Sequence, residues 1–326
     1  MVINGNITLE ELNDLSELKD MKNLFITGWN EQFSGEQGRR TLNDLQAEYP
    51  AWDSEDISYG LNRLSKIAAS GIQYVYELKD GGNLIYLPSD DRKSEYYFIL
   101  CAGGAYGSVC TMVESLPVAA KLNEMGFDCF CLSYHVATAE SFVSGLMPQP
   151  LADLALAIKF IGDNEEFSLD HEKYFLAGFS AGGHLVSCFS LNSVGAAHYG
   201  VSQPKGLLLA YPLISLDTFE NQKVRDFMMA GLFGAADTAK TAEKYDIIMN
   251  MDESFPQTFY TYCLDDDSVP IINADIMKKA LEDRGIRNEF ICFQEGGHGF
   301  GLGSKITGNN YVEKAISFLL KGVNHE

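Results

Sequence analysis

The stretch Tyr174-Phe-Leu-Ala-Gly-Phe-Ser-Ala-Gly-Gly-His-Leu-Val-Ser-Cys-Phe189 sets an apolar strand pattern, a glycine-flanked turn and an apolar helix pattern in immediate succession. Nothing else in the chain restricts the backbone so strongly. A turn from strand to helix this sharp crowds the main chain, so Gly178 and Gly182 supply positions without Cβ and Ser180 stands at the apex. Its hydroxyl is held away from the sheet. The helix that begins beneath it aims its N-terminal dipole and free N–H groups at the place where a negative oxygen would form. In this strand-to-helix context G-x-S-x-G reads as the turn of a nucleophilic serine, whereas the bare pentapeptide would be an ordinary tight turn.

A nucleophilic serine needs a core large enough to hold its partners rigid. The 326 residues, 46% of them hydrophobic and 12% aromatic, suffice for one large α/β domain or about two smaller ones. A formal net charge of -21 repels nucleic acid and anionic membrane surfaces, which leaves a small, neutral molecule as the expected partner. The opening residues, Met1-Val-Ile-Asn-Gly-Asn-Ile-Thr-Leu-Glu-Glu11, lack the basic and apolar regions of a secretion signal. No later run approaches the ~20 apolar residues of a membrane span, so a cytoplasmic protein is expected. Seven cysteines (Cys101, Cys110, Cys129, Cys131, Cys188, Cys263 and Cys292) lie mostly in apolar runs without C-x-x-C spacing. They read as free buried thiols of a reducing compartment, neither a disulfide frame nor a zinc site.

Residues 1–71 differ from the rest. Thr8-Leu-Glu-Glu11 and Thr41-Leu-Asn-Asp44 have the spacing of capped helix starts, and Ile57, Leu61, Leu64, Ile67 and Ala68 recur at helical intervals. This predicts a helical N-terminal extension. Its aromatic residues Phe25, Trp29, Phe33, Tyr49 and Trp52 could pack on the main domain, roof a pocket or join two copies of the chain, which leaves a homo-oligomer open. From residue 72 the pattern changes to strand and helix in alternation. Strands are predicted over 72–78 and 83–88, joined by the turn Lys79-Asp-Gly-Gly82, and then over 95–101, 127–133, 174–179, 206–212, 256–264 and 287–293. Helices are predicted over 112–125, around Leu151 to Ile161, after the elbow, around Ile272 to Leu281 and around Val312 to Leu320. Near-continuous apolar strands between amphipathic helices imply a mostly parallel sheet covered on both faces.

A serine hydroxyl becomes a nucleophile only when a base takes its proton. Of the six histidines, His135 and His171 precede the elbow, His184 lies on the elbow helix, His198 follows it in a loop and His325 sits in the tail. His184 is expected to be a packed group or to support its neighbours. His298 stands apart in Glu295-Gly-Gly-His-Gly-Phe300, directly after the last strand, where flanking glycines let the loop cross the strand ends. The run Cys263-Leu-Asp-Asp-Asp-Ser-Val-Pro270 offers three carboxylates, Asp265, Asp266 and Asp267, of which at most one can face that imidazole. Ala102-Gly-Gly-Ala-Tyr106 follows the third strand, where backbone N–H groups can receive an oxyanion, and the N–H of Ala181 adds another donor. A phosphate loop is the other use of a Gly-Gly pair after a strand, but no Gly-Lys-Ser/Thr follows and G-x-G-x-x-G is absent.

Taken together these motifs resemble the α/β-hydrolase esterases and lipases related to hormone-sensitive lipase, in particular their bacterial acetyl-xylan-esterase-like branch. The resemblance runs from about residue 72 to the end. It rests on Ala102-Gly-Gly-Ala-Tyr-Gly-Ser-Val109, Gly178-Phe-Ser-Ala-Gly-Gly-His-Leu185, Tyr211-Pro-Leu-Ile214, Asp266-Asp-Ser-Val-Pro270 and Gly297-His-Gly-Phe300, in that order. It implies an α/β-hydrolase domain over 72–326, with a small cap insertion over about 213–255, where Phe219, Phe227, Met228, Met229, Leu232 and Phe233 break the alternation. The cap side chains read either as ordinary packing or as a flexible apolar pocket wall. The family pattern, an aspartate three residues before Val-Pro, selects Asp266 over Asp265. Carried over, it implies Ser180 as nucleophile, His298 as base then acid, Asp266 as the orienting carboxylate, and Gly104, Ala105 and Ala181 as oxyanion donors, with Gly103 keeping the loop open. Two positions depart from the family: Ala102 replaces its leading His or Pro, and Ala105 its third glycine. Alanine is strained at the latter if the backbone takes a positive φ.

The resemblance implies a serine carboxylesterase that forms an acyl-Ser180 intermediate on short-chain esters, acetylated sugars among them, with neither metal nor cofactor. Its partner is a small-molecule ester, not nucleic acid or a membrane. A peptidase or acylaminoacyl hydrolase would use the same three side chains and hold a substrate amine with Glu220, Asp226 or Asp237. A catalytically silent binding protein would keep the fold alone.

Overall fold

In this computed structural model residues 2–79, 82–235, 238–308 and 310–323 are described. Asp80 and Gly81 of the first predicted turn, Asp237 and His325 lie outside them. Among the described residues eight strands form one sheet: β1 (Val75–Glu77), β2 (Asn83–Leu87), β3 (Tyr97–Cys101), β4 (Cys129–Ser133), β5 (Tyr174–Phe179), β6 (Leu207–Ala210), β7 (Thr258–Cys263) and β8 (Asn288–Phe293). Their spatial order is β1-β2-β4-β3-β5-β6-β7-β8. The short connection between β1 and β2 permits only an antiparallel pair, and β2 also runs antiparallel to β4. From β4 to β8 every pairing is parallel, as the long helical connections require.

Because side chains alternate across a strand, each strand feeds both layers of the core. Tyr97, Ile99 and Cys101 of β3 point to one face with Leu151, Leu154, Leu185, Val186 and Met277, from the helices Gln149–Asp163, Ala181–Phe189 and Ile272–Asp283. Phe98 and Leu100 point to the other, with Leu61, Leu64, Leu116, Ala119, Val312 and Leu319. Those residues belong to the helices Ser54–Ala69, Ser115–Glu124 and Tyr311–Val323. The N-terminal helices therefore share the second core layer with the sheet. Thr8 and Thr41 cap their helices as their spacing predicts, each accepting the N–H three residues on at 3.1 Å.

Several boundaries differ from the sequence reading, β1 for one starting at Val75 and not at 72, and two of them differ for tertiary reasons. The helix predicted over 112–125 begins only at Ser115. Upstream of it the backbone is committed elsewhere, with Met112 N–H donating to Phe25 O at 2.9 Å and Thr27 bridged to Val109. Strand β6 stops at Ala210, because Tyr211 takes a φ of 40° and Pro212 follows. Between β6 and β7 lie the helices Gln222–Phe233, Thr238–Glu243 and Ile247–Asn250, the region read as a cap. It is pinned to the body where Leu146 and Met147 N–H groups donate to Leu232 O at 2.9 Å, and where Phe142 meets Phe227. Among the described residues no helix is long and apolar enough to cross a membrane.

Candidate active site

Ser180 sits between β5 and the helix Ala181–Phe189 with φ 51° and ψ -120°, a conformation that a non-glycine residue adopts only under constraint. The constraint is local. Ser180 N–H donates to Ala210 O at 3.1 Å, and its carbonyl accepts from Gly183 at 3.0 Å, His184 at 3.2 Å and Leu213 at 3.0 Å. The flanking glycines are required for space: a Cβ on Gly182 would lie 2.0 Å from Cys101 O, and one on Gly178 would lie 2.7 Å from Gly182 O.

His298 reaches this serine from the far side of the sheet's C-terminal rim. Its Nε2 is 2.8 Å from Ser180 Oγ and its Nδ1 is 2.7 Å from Asp266 Oδ2. A carboxylate there accepts a hydrogen bond from Nδ1–H, the tautomer in which Nε2 is free to accept from the serine hydroxyl. Asp266 is itself fixed, since its other oxygen accepts the N–H groups of Ser268 at 2.9 Å and Val269 at 2.8 Å. Asp265 faces elsewhere and accepts from Gly296 at 3.0 Å and Gly297 at 2.8 Å, at the base of the histidine loop. Those two backbone donors, Gly297 first, hold its carboxyl below the usual range. Asp267 stays on the surface and accepts from Ser268 Oγ at 3.1 Å.

The loop after β3 faces the serine. Gly104 takes φ 128°, and Ala105 and Tyr106 take φ 52° and 59°, so alanine does stand in a left-handed position here. The strain is held from several directions. Tyr134 donates to Ala102 O at 2.6 Å, Gly103 N–H donates to the buried carboxyl of Glu114, and Tyr106 Oη lies 2.8 Å from His184 Nδ1. A Cβ on Gly103 would come within 2.6 Å of the Ser180 Cβ, so only glycine lets the loop lie this close. Among the described residues no hydrogen bond engages the N–H of Gly104, Ala105 or Ala181. A developing oxyanion requires N–H groups with no other acceptor.

The remaining histidines divide as their chain order implies. His184 is buried under the loop, and loss of hydration alone pushes its pKa down to about 4, so it is neutral and supports Tyr106. His135 pairs through Nδ1 with buried Asp153, 2.8 Å away, and His198 packs edge-on against Tyr199. His171 lies against Gly162, away from the elbow. Of four further contributors, Glu114 and Asp56 were not singled out from sequence, while Tyr211 figured only in a motif and Asp265 only as the alternative to Asp266. Glu114 and Tyr211 lie beneath the site, joined at 3.1 Å, and Tyr211 Oη accepts Gly301 N–H at 2.9 Å. Asp265 clamps the histidine loop at its start. Asp56 accepts from Ser304, whose N–H lies 2.9 Å away, just past that loop. The signal for Glu114 was a lone carboxyl in the apolar run Met112-Val-Glu-Ser-Leu-Pro-Val118.

A cavity of about 340 Å³ lies between cap and body, lined by His184, Ile214, Met229, Phe233 and Tyr245, with Asp217, Glu243 and Asp246 also on its walls. Met229 and Phe233 thus serve as pocket wall as well as packing. Glu220 and Asp226, the described carboxylates considered for an amine, do not line it.

Comparison with known proteins agrees with this architecture. The BD-FAE family model matches residues 84–281, a segment that holds Gly103, Ser180 and Asp266 and ends before His298. An acetylxylan esterase of Xylanibacter ruminicola is 24% identical over 261 residues, 78% of this chain and 52% of that protein. The chain thus spans about half the length of the curated relative it matches. The crystal structure of an acetyl ester-xyloside bifunctional hydrolase from Caldicellulosiruptor lactoaceticus is 25% identical, with a TM-score of 0.61 over 73% of this chain and 89% of that one. An alpha/beta hydrolase enzyme from a deep-sea metagenome library, 21% identical, superposes with a TM-score of 0.57 over 77% of this chain and 98% of its own. The fold is accordingly that of the α/β hydrolases. With well over half of its length matched by the family model, from the second strand to the helix Ile272–Asp283, the chain belongs to the BD-FAE family.

Proposed function

We propose that the protein is a serine carboxylesterase that removes short acyl groups, acetyl among them, from a small alcohol or sugar. The observation that carries this reading is the continuous relay from Ser180 Oγ through His298 to Asp266, with contacts of 2.8 Å and 2.7 Å. In the reaction, His298 Nε2 takes the hydroxyl proton as Ser180 Oγ adds to the ester carbonyl, and Asp266 balances the imidazolium that forms. The carbonyl oxygen becomes an oxyanion within reach of the Gly104, Ala105 and Ala181 N–H groups. Collapse expels the alcohol, which leaves with the proton from His298, and Ser180 keeps the acyl group. Water then adds to the acyl carbonyl as the same nitrogen takes its proton, and collapse returns that proton to Ser180 Oγ and releases the acid. All the proton transfers use one imidazole, and the scheme calls on no metal or cofactor.

The named relatives, an acetylxylan esterase and an acetyl ester-xyloside hydrolase, support acetylated carbohydrate as the substrate class. The test is hydrolysis of nitrophenyl esters from acetyl to octanoyl, of the matched amides and of acetylated xylo-oligosaccharides, by wild type and Ser180→Ala. Acetyl preferred over octanoyl, esters over amides, and a drop of about 10⁴-fold or more in the variant are expected. Equal rates for the two proteins would remove the mechanism.

A further inference from the structure

Glu114 is 4% exposed, and among the described residues no lysine or arginine pairs with it. A carboxyl so deeply buried is costly unless its oxygens are occupied. Both are. One accepts the N–H of Gly103, the residue before the loop donors; the other accepts the Tyr211 hydroxyl at 3.1 Å. Tyr211 Oη in turn accepts Gly301 N–H at 2.9 Å, three residues past His298, and the Tyr211 ring packs edge-on against that imidazole at 4.9 Å. A Cβ on Gly301 would touch Val113 O at 2.4 Å, so the turn that carries Glu114 also abuts the histidine loop directly.

We propose that Glu114 is a positioning residue that locks the oxyanion loop and the His298 loop to each other, holding the first through Gly103 and the second through Tyr211 and Gly301. It rests on the esterase reading above. The hydrogen-bond pattern suits the ionised carboxylate, which accepts from both donors and needs no proton of its own. A neutral carboxyl would have to turn a proton toward Tyr211 Oη, which already accepts from Gly301, and the Tyr211 hydroxyl would lose its acceptor. The titratable groups that face Glu114 are Tyr134, Tyr211, Tyr311, Cys110 and His298, and only the imidazole can become a cation. Burial pushes the Glu114 pKa up to about 7, so the clamp changes state near neutral pH and engages most fully above it. The imidazolium formed during each turnover strengthens it for that moment.

The decisive experiment compares wild type, Glu114→Gln and Tyr211→Phe in nitrophenyl acetate hydrolysis between about pH 5.5 and pH 9, with thermal melting and fluorophosphonate labelling of Ser180 on the same samples. Both variants should lose about tenfold to hundredfold in kcat at the upper end with KM little changed, because geometry and not binding is disturbed. The wild-type pH profile should contain an inflection that Glu114→Gln lacks and Tyr211→Phe keeps. A folded Glu114→Gln with the wild-type kcat and profile would overturn the proposal. If Glu114→Gln does not fold, the isosteric Tyr211→Phe decides it, and an unchanged kcat there would overturn it equally. A wild type inert toward esters and unlabelled at Ser180 would remove the esterase reading and this proposal with it, whereas active, labelled variants equal to wild type remove the clamp alone.

Discussion

Ser180 and His298 meet at one hydrogen bond, yet the two segments that carry them are held by opposite means. The elbow places a serine, not a glycine, at φ 51°, and every backbone partner of that residue lies on the same helix, on the adjoining strand or just beyond it. The histidine loop has positive φ only at glycines, Gly296, Gly297, Gly299, Gly301 and Gly303, and carries little strain of its own. Its position is imposed from outside. Asp265 holds its start, Tyr211 its middle and Asp56 its end, while Lys305 pairs with Asp53 at 2.9 Å and Trp52 lies against Gly299. A serine whose geometry is local can be built by one supersecondary unit. A histidine loop that must cross the sheet's rim is held here by contacts from residues more than two hundred positions away, which brings the N-terminal helices to the site.

That contrast fails first, if it fails, at the glycines of the elbow. Gly182→Ala puts a methyl 2.0 Å from Cys101 O, a backbone atom of a central strand, so little folded protein is expected by circular dichroism or soluble yield. A normally folded variant would mean that the elbow is less confined than its contacts imply. Next, Asp266→Asn should cost about 10³- to 10⁴-fold in kcat, since the amide favours the wrong imidazole tautomer. Asp265→Asn, which only slackens the loop, should cost about tenfold. Steady-state kinetics on one ester separates them, and equal losses would blur the division of labour between the neighbouring carboxylates.

The pH dependence of stability should also differ in sign between the two regions. Burial raises Glu114 from 4.5 to about 7, so the native state retains a proton that the unfolded chain loses; stability falls as pH rises between those values and is level above. His184, on the elbow helix, is lowered from 6.5 to about 4, so the unfolded chain takes up a proton that the native state refuses, and stability falls as pH drops through that window. Each is worth about 3 kcal/mol at its extreme. Melting curves should therefore show Glu114→Gln gaining on wild type from about pH 5 to about pH 8, and His184→Gln gaining as pH falls from about 6.5 to about 4. Curves parallel to wild type would refute the assignment. The smallest effect belongs to Gly297→Ala. There the nearest neighbour is the Ala51 Cβ at 3.7 Å, so only the φ of 67° resists, at about 1–2 kcal/mol. A melting temperature a few degrees lower with Ser180 still labelled would fit; loss of the fold would not.

Much of this is legible in the sequence. The strand and helix succession, the caps at Thr8 and Thr41, the elbow and the glycine-bracketed His298 follow from patterns that span a few residues each. The choice between Asp265 and Asp266 was not legible from residue chemistry. Both are aspartates in one turn, and which one meets the imidazole depends on the direction of the chain as it leaves β7. Glu114 was not singled out in the sequence, where its one signal is a charge among apolar neighbours. Its partners Gly103 and Tyr211 lie on different loops, one of them nearly a hundred residues away, and no local pattern encodes that meeting.

By itself, then, the sequence determined the pieces whose conformation is set by nearest neighbours: a serine forced to the apex of a crowded turn, strands with two buried faces, helices with capped starts. Only the tertiary structure decided how the rim closes. It brought Asp266, which the family pattern selects, against His298, seated the N-terminal helices behind the histidine loop and buried a carboxyl between the two halves of the site. The reason is that steric confinement acts over a few bonds, whereas hydrogen bonds between loops exist only once the sheet has brought distant segments within about 3 Å.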